Sequence, residues 1–259
     1  MLNLAIECSS ATGSVALYRE NVCLVERPLP DNVGSVQSLA ATIEQLLSLH
    51  SARRADLISV TNGPGSFTGL RSGLATVKML AFAWQVPVAP VDTLRAIAAH
   101  LEHAAAGSSR PAIVVPVLNA FRQQVFASAW LHAPSGPPHE LAAAQVVDAA
   151  AWMRAPWASL HLRPPSTEAP LPPAGQAAVV VCGPGLRNYP PDAGSGVDIA
   201  AEELWAPTAS DVARCGWSDY LGGGKTLVSA QELQPNYVRA SAAEEKAAEE
   251  KAAEEKAAD

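Results

Sequence analysis

The chain has 259 residues, 49% of them hydrophobic, and a formal net charge of −7. That is enough apolar material for one large or two modest cores, no apolar run reaches the eighteen or so residues of a membrane span, and the balance excludes a strongly basic nucleic-acid surface. The charge is uneven, because residues 241–259 hold seven acidic residues and three lysines, which accounts for −4 of the −7. In chain order, LNLAIE (2–7) is a continuous apolar run that predicts a buried strand, SSATG is a turn, and GSVALY and VCLVE are strands joined through the hairpin signal RENV. SVQSLAATIEQLLSLH repeats apolar residues at Val36, Leu39, Ala40, Ile43, Leu46 and Leu47, which predicts a helix with Ser35 as its N-cap. DLISVTN is a further buried strand, and it runs into GPGSFTGLRSGLATVKMLAFA (63–83), a glycine-rich turn followed by a helix. VPVAPV is a short strand, and TLRAIAAHLEHAAA is a helix that fades into the linker GSSRP.

After Arg110 the pattern starts again. AIVVPVLNAFRQQVFASAWL is strand, turn, strand, as residues 2–18 are. AVVVCGPGL (178–186) echoes ISVTNGPGS (58–66), each a buried strand ending in Gly-Pro-Gly. Two lobes on one plan predict a duplicated α/β fold. RPPSTEAPLPPAG between the echoes is too rich in proline for anything but a loop. TASDVARCGWSDYLGGG is a helix with Thr208 and Asp211 placed as a capping box and glycines at its exit. The tail contains three AAEEK repeats whose lysines have glutamates three and four residues later, the weaker pairing orientation, so it reads as a solvated helix or a disordered extension. Cys8, Cys23, Cys182 and Cys215 are far apart with no C-x-x-C pair, which fits reduced thiols. MLNLAIECSS has no basic stretch before its apolar residues, so no secretion signal is expected and the expected location is the cytoplasm.

Three local patterns invite a chemical reading. GGGKT (222–226) ends like a phosphate-binding P-loop, but a helix precedes it and Asp219 stands where the first glycine is needed, so it reads as a helix exit. His100 and His103 share one side of a helix, yet that helix runs into a polar linker, so solvated histidines are expected rather than a metal half-site. The turn Gly63, Gly65, Ser66 at a helix N-terminus can hold an anion through free backbone N–H groups. The helix that follows is more telling. Leu70, Leu74, Val77, Ala81 and Trp84 form a seam at spacings of four and three, with Gly69, Gly73 and Thr76 beside it. Each helical glycine costs roughly 1 kcal/mol relative to alanine. Close approach of another helix accounts for that bare backbone better than a nucleotide does. The sequence has no G-x-S-x-G nucleophile elbow.

GPGSFTGLRSGLATVKMLA, together with IECSSATGSVALY, PVAPVDTL and PNYVR, resembles the TsaB (YeaZ) family, subunits of the bacterial tRNA threonylcarbamoyladenosine machinery. The resemblance covers most of residues 1–100, more loosely 111–131, and 207–239. It implies an actin-like (ASKHA, ribonuclease H-like) duplicated two-lobed α/β fold. The lobes would be residues 1–106 and 111–206, with residues 207–240 returning to the first lobe and a low-complexity tail at 241–259. It also implies a non-catalytic role beside a catalytic paralogue, TsaD, and an ATPase, TsaE, with tRNA engaged through the complex and a homodimer when alone. No cofactor of its own is expected, ATP and metal belonging to the partner subunits. In the family, the helices at 35–50 and 67–84 bundle with the partner, which makes Leu39, Ile43, Leu46, Gly69, Leu70, Gly73, Leu74, Val77 and Ala81 the expected interface. The catalytic relative's H-x-x-x-H metal pair aligns with Thr93 and Ile97, which cannot replace two imidazoles. Ala11 stands where that relative has an aspartate, and Asn119 and Phe121 depart from the family's usual Asp and Arg. The rival readings are an actin-like ATPase, kinase or peptidase-type enzyme, and an independent homodimeric binding protein.

Overall fold

The computed structural model describes residues 1–30, 35–104, 111–132, 138–162 and 177–239. The proline-rich loop and the AAEEK tail lie outside the described residues, as does any cap ahead of Ser35. In the first lobe, β1 (Leu2–Glu7), β2 (Ser14–Arg19) and β3 (Val22–Pro28) form an antiparallel meander. The helix α1 (Ser35–Leu49) then leads to β4 (Leu57–Gly63), α2 (Phe67–Trp84) and β5 (Val88–Asp92). β4 runs parallel to β1, and β5 runs parallel to β4, so the sheet order is β3-β2-β1-β4-β5.

The continuous apolar run of β1 is what a central strand buried on both faces requires. On one face, Leu4, Ile6, Leu17 and Val60 pack under Leu39, Ile43, Leu46, Leu70, Leu74 and Val77 of α1 and α2. The opposite face is lined by smaller residues, Ala5 and Ala16, which meet Ala209, Val212, Ala213 and Cys215 of α5 (Ala209–Leu221). Small side chains there let α5 sit close, and a Cβ on Gly216 would fall on the Ser59 hydroxyl. The capping box at Thr208 and Asp211 forms as the sequence predicts.

The second lobe repeats the plan. β6 (Ala112–Phe121), β7 (Gln124–His132) and β8 (His139–Asp148) are an antiparallel meander, followed by the short helix α4 (Ala149–Arg154). β9 (Ala178–Cys182) and β10 (Asp198–Ile199) add in parallel, giving β10-β9-β6-β7-β8. The expected duplication is therefore present strand for strand. A helix between the two sheets joins the lobes. α3 (Thr93–Ala104) turns Ala96 and Ala99 toward the first core, and Leu94, Ile97 and Ala98 toward Val114, Trp130 and Cys182 of the second sheet.

Candidate partner interface on α2 and the lobe junction

The Gly63–Pro64 peptide bond is cis, and Gly63 has φ +123°, a left-handed conformation that excludes most side chains. A Cβ there would lie 2.7 Å from the Asn236 carbonyl oxygen, and one on Gly65 would lie 2.6 Å from that of Ser9. The Ser66 amide donates to the Ser9 carbonyl at 2.8 Å, while its hydroxyl accepts from Gly69 N–H as the N-cap of α2. The anion-binding expectation for Gly63, Gly65 and Ser66 thus has a competing account within the chain, since the Ser66 amide is already engaged. The bare turn is spent on close contact with Ser9 and Asn236.

The interface expectation needs correction. Leu39, Ile43, Leu46, Leu70, Leu74, Val77 and Ala81 are each at most 4% exposed, inside the chain's own core. A Cβ on Gly73 would fall on the Cys8 sulfur, and one on Gly69 on the Cys8 carbonyl oxygen. The close approach demanded by those glycines is to the end of β1. The physical reason is that a helix lying on a sheet turns its most apolar seam inward, and the seam's period does not say what covers it.

The opposite face of α2 is where the outward apolar groups stand. Phe67, Met79 and Phe82 are 51%, 74% and 62% exposed. With Arg71 and Ala75, also exposed, they follow one stripe at spacings of four and three. Arg71 lies over the Phe67 ring at 3.9 Å, and Tyr237 stacks on the same ring at 6.2 Å. Beside the stripe, a groove of about 370 Å³ between α1 and α2 is lined by Ala40, Ile43, Leu47, Leu80 and Trp84, with Glu44 and Arg53.

At the lobe junction, burial pushes the Glu7 carboxyl up. It accepts from Ser9 N–H at 2.6 Å, Ser9 Oγ at 2.5 Å and Ser10 Oγ at 2.6 Å, which fixes the turn after β1. Burial likewise pushes Asp92 up to about 6, against the amides of Arg95 and Leu94 that it caps at the start of α3. Thr93 is 1% exposed with its hydroxyl unbonded, and Ile97 is fully buried, so neither aligned position presents a metal-ligating side chain. Burial raises the Cys8 thiol to about 12, which makes it an inert packing group.

His100 is not solvated as the sequence suggests. Its Nδ1 lies 2.6 Å from Oδ2 of the fully buried Asp211. Asp211 also accepts from Thr208 N–H at 2.8 Å and pairs with Arg214. The hydrogen bond that the protonated ring donates to Asp211 holds the imidazole above its usual range. The His103 side chain lies outside the described residues. No group of three or more His, Cys, Asp or Glu able to hold a metal occurs among the described residues, and no helix among them is long and apolar enough to cross a membrane.

Two five-stranded sheets of identical order, with a hairpin-first plan and a helix shared between them, define a two-lobed actin-like α/β protein. Solved structures share that architecture. YeaZ from Pseudomonas aeruginosa superposes with a TM-score of 0.69 at 22% identity, over 91% of this chain and 99% of that one. A second structure, described as an uncharacterised protein with similarity to peptidase YEAZ from Pseudomonas aeruginosa, gives 0.67 at 23% identity, over 92% and 99%. A family model described as TsaD, tRNA N6-adenosine threonylcarbamoyltransferase, matches residues 34–154. The tRNA threonylcarbamoyladenosine biosynthesis protein TsaB of Bacillus subtilis (strain 168) is 34% identical over 130 residues, 49% of this chain and 53% of that protein. The match thus spans about half the length of that relative. In sequence over about half its length, and in fold, the chain is thus similar to TsaB (YeaZ) proteins.

Proposed function

We propose that this chain is a non-catalytic scaffold subunit in the formation of threonylcarbamoyladenosine on tRNA, and that it activates a catalytic paralogue of the TsaD type by docking it on the outer face of α2. The observation that carries the docking surface is the two-sidedness of α2. One side is consumed by the chain's own core, while Phe67, Met79 and Phe82 on the other are more than half exposed. Covering side chains of that size is worth roughly 1.5–3 kcal/mol each, and a stripe beside a groove is the geometry that receives another helix. The biosynthetic role is supported by the printed name of the Bacillus subtilis relative. The non-catalytic role is supported by Thr93 and Ile97, whose side chains offer no metal ligand where the resemblance places the catalytic relative's histidine pair.

On this reading ATP and metal are held by the partners, a TsaE-type ATPase takes part, tRNA is engaged through the complex, and the location is cytoplasmic. Without its partner, the same face pairs two copies of this chain. Reconstitution tests the assignment: unmodified tRNA and the threonylcarbamoyl adenylate are incubated with the chain, with the catalytic paralogue, and with both. The expected result is no product with the chain alone and a faster reaction when it joins the paralogue. Product from the chain alone overturns the scaffold reading.

A further inference from the structure

The segment that leaves α5 crosses from one lobe to the other, and every few residues it is fastened. Val228 exchanges two backbone hydrogen bonds of 2.9 Å with Val88, so it adds to the open edge of the first sheet at β5. Leu233 is fully buried in the first core. Asn236 donates its amide to the Asn62 carbonyl at 2.7 Å and its side-chain nitrogen to Asp92 at 3.2 Å. Tyr237 stacks on Phe67. Two residues later, the chain reaches the second lobe. Arg239 donates to the Ala120 carbonyl at 2.8 Å and to the Gln124 side-chain oxygen, with its guanidinium 6.0 Å from the Phe126 ring.

The landing point is unusual. Phe121, the last residue of β6, and Arg122 and Gln123, which lead into β7, all have positive φ, at 59°, 51° and 58°. Left-handed backbone costs a residue with a side chain roughly 1–2 kcal/mol, so three in succession persist only when neighbours hold them. Arg239 grips both ends of this turn, at Ala120 and at Gln124. The Asn119 side chain supports it from below, accepting from Phe121 N–H at 2.7 Å. Elsewhere the lobes meet through α3, whose opposite faces enter the two cores. A single helix between two sheets is a fulcrum, and by itself it permits rocking.

We propose that residues 227–239 are a latch that fixes the angle between the lobes, with α3 as the fulcrum and Arg239 as the closing contact. The latch replaces the hinged opening and closing that a two-lobed fold otherwise permits with one fixed arrangement. It requires nothing of the partner reading above, since it acts within the single chain.

The test measures the inter-lobe distance distribution by double electron–electron resonance. Spin labels are placed at the exposed positions Gln45 and Ala193, one in each lobe, in full-length chain carrying Cys23→Ser and diluted with unlabelled protein. The native chain should give one narrow distance. Arg239→Ala should keep its circular dichroism and roughly double the width of the distribution, or add a second distance, because the rocking released is a slow collective motion. Gln124→Ala removes one of the two grips and should give a smaller broadening. If Arg239→Ala does not fold, the Gln124→Ala and Asn236→Ala distributions decide. A distribution as narrow as the native one in every folded variant overturns the latch, and so does a native distribution that is already broad.

Discussion

The two lobes share one plan and diverge most after the same turn. Each runs meander, helix, strand, Gly-Pro-Gly, and in each the first glycine of that turn is left-handed, with φ +123° at Gly63 and +117° at Gly183. After the first turn comes an 18-residue helix, α2. After the second comes a single 3-10 turn, Pro184–Arg187. The first turn is packed against Ser9 and Asn236, whereas the second is packed against the backbone of β6, where a Cβ on Gly185 would lie 2.9 Å from the Leu118 carbonyl carbon. The duplicated strands are thus a common frame, and only the first copy builds a long helix with a bare inner face and an apolar outer one. Among the described residues, the long helix with an exposed apolar stripe stands in the first lobe and has no counterpart after the second turn.

The largest effect that can break this comparison is on the inner face. Gly73→Leu would gain roughly 1 kcal/mol in helix propensity. It must also displace the Cys8 side chain from beneath α2, and overpacking of that kind typically costs about 1–3 kcal/mol and occasionally more. The expected outcome is a net loss of about 1–2 kcal/mol and a melting temperature lower by about 2–8 °C. Hydrogen exchange should be faster in β1 and β4 and less changed in β6 and β9. Native-like stability would show that α2 does not lie as close to β1 as the structure has it.

A smaller effect concerns α5, which returns to the first lobe. His100 on α3 pairs with Asp211 on α5, with Arg214 and Glu26 as the other charged groups that act on it. Its folded-state pKa is raised, so the pair's contribution is fully present below the unfolded value of about 6.5 and is lost as pH rises through the folded value. The ring is half-buried, so the contribution is expected to be below about 1 kcal/mol. Urea unfolding between pH 5.5 and 8.5 should therefore show the native chain losing stability relative to His100→Gln as pH rises. Parallel pH profiles for the two proteins would remove the ion pair from the account of how α5 is held.

Much of the frame was legible in the sequence because it rests on local signals. The buried runs at 2–7, 58–62 and 178–182 and the repeated Gly-Pro-Gly announce a duplicated sheet. The seam Leu70, Leu74, Val77, Ala81 marks the apolar side of α2 correctly. What covers that side is a tertiary fact, and the nine expected interface residues proved to belong to core or close packing. β8 and α4 gave no clear signal, since HELAAAQVVD is rich in alanine and neither period stands out; pairing with β7 makes the first a strand. The His100–Asp211 pair joins residues 111 apart, and Arg239 reaches Ala120 across 119. No spacing rule connects such positions. The outer stripe at Phe67, Met79 and Phe82 was available in principle, as apolar residues at helical spacing opposite the main seam.

The central claim is that the outer face of α2 receives the catalytic paralogue, and Met79→Glu tests it most directly. Met79 is 74% exposed and outside the core, so the variant should fold and melt as the native chain does. Burying a carboxylate in place of a thioether should cost the complex about 2–3 kcal/mol or more, which is roughly a hundredfold in affinity. Light scattering of an equimolar mixture with the paralogue at micromolar concentration should show a complex for the native chain and separate species for the variant. Native-like complex formation by Met79→Glu would contradict the account.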